Sequence, residues 1–153
     1  MRVTSTGAIA LSALVAGTLD VSATGSLMRA QGVPFLRLMR GVASGALGSA
    51  AFEGGVGTAA LGFFLHYCIA AGWATIYWIA GHRWPVLFSW PLLLGAAYGL
   101  AVHLVMSGIV LPLSRLRRPF SWKAWLMQVP IHMLCVGIPI AWVQGWLQSS
   151  VLR

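Results

Sequence analysis

The stretch LGFFLHYCIAAGWATIYWIA, residues Leu61–Ala80, contains no Asp, Glu, Lys or Arg and a single ionisable imidazole, His66. About 20 apolar residues at ~1.5 Å per residue cover the ~30 Å hydrocarbon core of a bilayer. The run extends back to Gly57, so it reads as a membrane-spanning helix over 57–80. Two further stretches have the same character. Phe88–Leu111 carries Pro91 in its first turn, where a missing N–H does no harm. Trp122–Leu147 begins behind Ser121, a candidate cap, and holds Pro130 and Pro139, which predict kinks. A fourth run, Gly7–Leu27, is weaker because it includes Asp20 and several Ser and Thr. Its alternative is a signal peptide: Arg2 is a basic start, and Val21-Ser22-Ala23 resembles a cleavage site.

Composition agrees with the runs. The 153 residues are 59% hydrophobic and 8% charged, against about 25% charged in soluble domains. The net charge of +8 comes from ten Lys and Arg against two acids. These cations lie between long apolar runs, where they suit anionic headgroups and the setting of topology. No basic surface is left for nucleic acid once the runs are in lipid. Cys68 and Cys135 both fall inside apolar runs and predict small buried residues.

Basic residues mark the cytoplasmic side. Arg29, Arg37, Arg40, Arg115, Arg117, Arg118 and Lys123 lie on one side of the four runs; Arg2, Arg83 and Arg153 lie on the other. Both termini are therefore expected outside. Trp78, Trp84, Trp90 and Trp146 would form an outer aromatic belt, with Trp122 and Trp125 at the inner interface. Arg37, Arg40, Arg115, Arg117, Arg118 and Lys123 are the expected lipid-headgroup contacts.

Met28–Val56 is too long for a tight turn. Pro34 can open a helix and Gly54-Gly55 can close one. Phe35, Leu38, Met39, Val42 and Ala46 recur at helical spacing, while Arg37, Arg40 and Ser44 fall on another face. This predicts an amphipathic interfacial helix over 34–52. Its small-residue end, Gly41–Gly48, would dip in and pack on the spans. A fifth full span is the alternative. Glu53 is expected as a hinge or a local partner of Arg40.

Each span carries one titratable residue: Asp20, His66, His103 and His132. Counting from the middle of each span, all four fall roughly 3–6 Å toward the cytoplasm. Each also sits on a stripe of small or polar residues, the faces by which membrane helices approach. The stripes are Ala13, Gly17, Asp20 and Thr24; Gly62, His66 and Ala70; Gly95, Gly99, His103 and Ser107; and Gln128, His132 and Cys135. An intramembrane polar layer follows, in which Asp20 accepts a hydrogen bond from a histidine.

Three roles compete for that layer. It can be a set of interhelical packing contacts, worth on average about 0.6 kcal/mol each. It can be a proton or ion path or a polar substrate site, since imidazole titrates near neutrality. Or His66, His103 and His132 can ligate haem or a metal, although no H-x-x-x-H or C-x-x-C-H motif accompanies them. Enzyme signatures are missing: there is no G-x-S-x-G, no P-loop and no general-acid pair.

Three segments resemble a family of small uncharacterised four-helix bacterial inner-membrane proteins. They are Leu61–Ala80, with Leu65-His66-Tyr67; YGLAVHLVMSGIVLPLS, Tyr98–Ser114; and RGVASGALGSAAFEGG, Arg40–Gly55. The family often has Asn where this chain has Ser107, so no role carries over there. The resemblance implies a bacterial inner membrane and names no ligand. The expectation is an all-α integral membrane four-helix bundle with one interfacial helix. It would be a non-enzymatic subunit of a larger membrane assembly, a homo-oligomer, or a small transport-type protein; the alternative is a haem- or metal-binding membrane subunit.

Overall fold

The computed structural model describes residues 4–116 and 120–151, and every regular element among them is helical. Four helices are long and apolar enough to cross a membrane: α1 (Ser5–Ala30), α3 (Val56–Arg83), α5 (Pro91–Leu113) and α6 (Trp122–Ser149). Between the first two lies α2 (Phe35–Leu47), followed by a 3₁₀ segment, Gly48–Phe52. A single turn, α4 (Val86–Ser89), joins α3 to α5. At 13 residues α2 reaches only ~20 Å, too short for the fifth span.

The chain's local chemistry sets these boundaries. Thr4 caps α1 by accepting the Gly7 N–H at 3.2 Å. Pro34 precedes α2, Pro91 occupies the first turn of α5, and Ser121 caps α6 as expected. The two left-handed glycines, Gly32 (φ 78°) and Gly48 (φ 70°), bracket α2 on either side, a conformation that other residues adopt only with strain.

The interior is built from small residues. Ala13, Ala16, Ala70, Ala74 and Ala141 form most of the core cluster, with Tyr77, Val102, Val136 and Ile140. The large apolar side chains point outward: Phe64, Ile79 and Leu93 are each more than 60% exposed. A water-soluble fold does the reverse. Cys68 belongs to this outward set, which corrects the expectation that it is buried; Cys135 is half-buried.

Helix α1 packs on α3 and α6, and α5 packs on α6. The α5–α6 contact is backbone on backbone: a Cβ added at Gly137 would land on the Gly95 carbonyl and on Gly99, and one at Gly99 would meet the His132 carbonyl. Helices α3 and α5 touch chiefly through side chains near one end, where the Tyr98 hydroxyl donates to the Trp73 carbonyl at 2.6 Å. Toward the other end they diverge. There α2 lies across α3, its Met39 carbonyl and Ala43 filling the space that a Gly62 side chain would need. It is pinned at its far end by the Arg115 N–H, which donates to the Gly45 carbonyl at 2.9 Å.

The α5 and α6 helices each contain a π-helical segment, Met106–Val110 and His132–Gly137. Each ends two residues before a proline, Pro112 or Pro139. A proline ring clashes with the carbonyl four residues back, and a widened turn relieves that clash. The expected Pro139 kink thus takes the form of a π turn.

Replacing Gly137 by Val should force α5 and α6 apart and cost at least about 2 kcal/mol through overpacking. The check is thermal unfolding in detergent beside Gly72→Ala, whose added methyl meets nothing within 4 Å. Equal melting temperatures for the two variants would disprove the tight contact.

Candidate functional site

The divergence of α3 from α5 leaves a cavity of about 550 Å³ that reaches α1 and α6 behind it and is roofed by α2. It is tiered. Gly17, Asp20, His66 and His132 supply its middle level. Arg37, Gly41 and Ser114 line the end nearest α2. Trp73, Val102 and Val136 line the opposite, deeper end.

The middle tier is held by backbone carbonyls. His66 Nε2 lies 2.9 Å from the Gly17 carbonyl oxygen. A carbonyl cannot donate, so Nε2 carries the hydrogen and Nδ1 of the neutral ring is a bare acceptor. That Nδ1 faces Asp20 Oδ2 at 4.0 Å. Two acceptors cannot bond to each other, which accounts for the gap. Asp20 Oδ1 is buried with no partner. The hydrogen bond expected between Asp20 and a histidine is therefore not formed: His66 spends its N–H on the backbone of α1. His132 likewise bonds the Gln128 carbonyl through Nδ1 at 3.0 Å, which leaves Nε2 as its acceptor.

His103 is brought next to His132, ring centroids 5.0 Å apart, but lies behind the cavity wall, 3% exposed with Nε2 unpartnered. On its other side it meets the Trp125 ring at 4.8 Å. Trp125 Nε1 donates to Ser107 Oγ at 3.0 Å, and Ser107 Oγ donates to the His103 carbonyl at 2.7 Å. Trp125 thus faces the protein interior rather than serving only as an interface anchor. The four titratable residues thus stand as two neighbouring pairs, His66 with Asp20 and His132 with His103, and Asp20, His66 and His132 line one cavity. Among the described residues no three His, Cys, Asp or Glu side chains converge on one point as a metal requires. A metal ion held jointly by His66, His103 and His132 has no such ligand set there.

The basic residues separate into distinct environments. Arg37 lines the cavity. Arg40 is half-buried with Nε unpartnered, and no ion pair joins it to exposed Glu53 among the described residues. Ser44, expected on the wet face of α2, is fully buried and turns its hydroxyl to the Gly41 carbonyl at 2.6 Å. Arg115 and Lys123 are exposed. Arg117 and Arg118 lie outside the described residues.

Sequence reasoning missed a second polar node toward the opposite end of the helices. Gln144, fully buried, donates from Nε2 to Ser12 Oγ and to the Ala74 carbonyl, both at 2.9 Å. One amide thereby ties α6 to α1 and α3. A search for titratable groups passes over it; its only signal is an uncharged amide inside the apolar run Ile138–Leu147.

Gln144→Leu should remove both bonds that cross between helices, while Ser12 keeps its bond to the Ile9 carbonyl, and lower stability by about 1–2 kcal/mol. Asp20→Asn, which keeps the shape of the side chain and its contact with Thr24, should lower it less. Chemical denaturation of both variants in one detergent decides it, and the reverse order would refute the assignment of Gln144 as the structural tie.

No family model, curated protein or solved structure matches this chain, so the resemblance to small bacterial inner-membrane proteins rests on the three quoted segments.

Proposed function

We propose that the chain is a non-enzymatic, transport-type protein of the bacterial inner membrane, and that its Asp20–His66 pair takes up a proton from the cavity. The observation that carries this reading is the 4.0 Å gap between two acceptors, Asp20 Oδ2 and His66 Nδ1. One proton on either atom turns the gap into a charge-assisted hydrogen bond. Loss of that proton opens it again. Membrane-embedded carboxylate–imidazole groups mark proton relays and ion pathways. His132 extends the pair toward His103, so the layer offers proton sites on all four spans.

In this reading the four long helices form a bundle in the bilayer, with both termini outside and α2 at the cytoplasmic interface. Arg115, Arg117, Arg118 and Lys123 meet lipid headgroups at that face. The outward apolar side chains meet lipid, other membrane subunits or a second copy.

Two measurements test this. In liposomes under an imposed pH gradient, the wild-type protein should dissipate the gradient; Asp20→Asn should lose most of that flux with little change in melting temperature, and His66→Phe, which also gives up its bond to the Gly17 carbonyl, should lose it with a modestly lower one. Wild-type flux no faster than that of empty liposomes, or full flux in Asp20→Asn, would remove the proton role. For orientation, reporter fusions after Arg153 should be active outside and fusions at Arg117 inside the cytoplasm, from the seven-to-three split of basic residues. A cytoplasmic C-terminus would invert the arrangement.

A further inference from the structure

We infer that the cavity is a binding site for a single-chain amphiphile with an anionic phosphate head, of the acyl-glycerol-phosphate type, taken up sideways between α3 and α5. The inference rests on reading the four long helices as membrane spans.

The first ground is the mouth. Of the five cavity residues that are also open to the outside, four are apolar, Ile69 on α3, Val110 and Leu111 on α5 and Phe52 beyond α2, each 38–44% exposed, and the fifth is Arg37 at the α2 end. A mouth with such a rim would be wetted by hydrocarbon, so a solute arrives from lipid. A freely water-soluble sugar would have to cross that apolar rim without compensation, whereas an amphiphile arriving from lipid can leave its anionic head at the exposed Arg37.

The second ground is the order of the tiers. Arg37 at the α2 end is a cation with no carboxylate partner among the described residues. Guanidinium groups bind phosphate bidentately. The middle tier presents acceptors at Asp20, His66 and His132, suited to a ligand hydroxyl. Asp20 also repels an anionic head, which keeps the head at Arg37. The deep end offers Ala16, Trp73, Val102 and Val136 to an apolar chain. Anionic head, hydroxylated middle and apolar tail is the polarity of a lysophospholipid.

The third ground is size. About 550 Å³ lies inside the roughly 300–1,000 Å³ range of small-ligand sites. That is room for one chain but not for a two-chain phospholipid.

Gly41 supplies the test. It lines the cavity, and a Cβ added there meets nothing within 4 Å. A large side chain at 41 should fill the site without disturbing the packing of α2. Binding of radiolabelled 1-acyl-glycerol 3-phosphate to the purified full-length protein in nanodiscs of zwitterionic lipid should be saturable and stoichiometric. It should be abolished by Gly41→Phe, retained by Gly41→Ala, and weakened about tenfold or more by Arg37→Gln, as loss of a charge-assisted contact requires. Glycerol 3-phosphate without the chain, and an alkyl-trimethylammonium of equal chain length, should fail to compete.

Equal binding to Gly41→Phe would mean annular lipid and overturn the site. Competition by glycerol phosphate alone would mean a plain anion site, and competition by the cationic amphiphile would remove Arg37 as the selector; either overturns the inference. A fatty acid competing as well as the glycerol phosphate amphiphile would shift the head from phosphate to carboxylate and overturn that assignment. Melting temperatures of the variants, matched to wild type, separate loss of the site from loss of the fold. Binding that persists where no proton flux is found overturns the proton reading alone. Flux that persists in Gly41→Phe without any wild-type binding overturns the amphiphile alone.

Discussion

Inside a bilayer, helices gain nothing by hiding apolar surface from one another, because the lipid is as apolar as they are. What holds such helices together is close van der Waals approach and hydrogen bonds. Here the closest approach is between α5 and α6, where Gly95 and Gly99 meet Gly137 backbone to backbone. The rest of the arrangement follows from it. With α5 drawn onto α6 and α1 filling the space between α6 and α3, no helix is left to close the gap between α3 and α5. The cavity is the remainder of that packing. The same contact carries His103 to His132, one turn beyond Gly99 on its own helix.

Polar groups in this interior fall into two kinds. Gln144 donates to Ser12 and to the Ala74 carbonyl across three helices, a tie that specifies which faces meet, while its own Oε1 is left without a partner. Asp20 and His66 do not satisfy one another. A buried polar group left open is costly, and such a cost persists where the open state is used.

The spans were legible because twenty uninterrupted apolar residues have few other structural solutions, and the edges of the expected spans 57–80 and 122–147 moved by only a few residues. The polar layer was legible because ionisable residues are rare in such runs and the small residues flanking them mark the inward face. Helix α2 was legible in extent but not in environment. Its hydrophobic pattern assumes one wet face and one apolar face, whereas α2 meets α3 on one side and a cavity on another. Ser44 is buried and Arg37 is turned to the cavity for that reason. Trp125 was misplaced because aromatic residues near a span end serve equally as interface anchors and as interior partners. Gln144 escaped notice because an amide does not titrate, and the tautomer of His66 depends on a carbonyl forty-nine positions away.

The π segment of α6 has a geometric effect that reaches beyond its proline. A turn closed over five residues instead of four takes up one extra residue, so everything after it is rotated back by about 100° relative to an unbroken α-helix. His132 and Gln144 are twelve positions apart, which on a regular helix would leave them roughly 120° from each other around the axis. With one residue absorbed between them the separation falls to roughly 20°. The widened turn at His132–Gly137 is thus a phase shifter: it lets one helix aim its imidazole and its amide to the same side at two different depths. Removing one residue within it would leave the length of α6 almost unchanged but would turn Gln144 away from Ser12, uncoupling the fastening from the site.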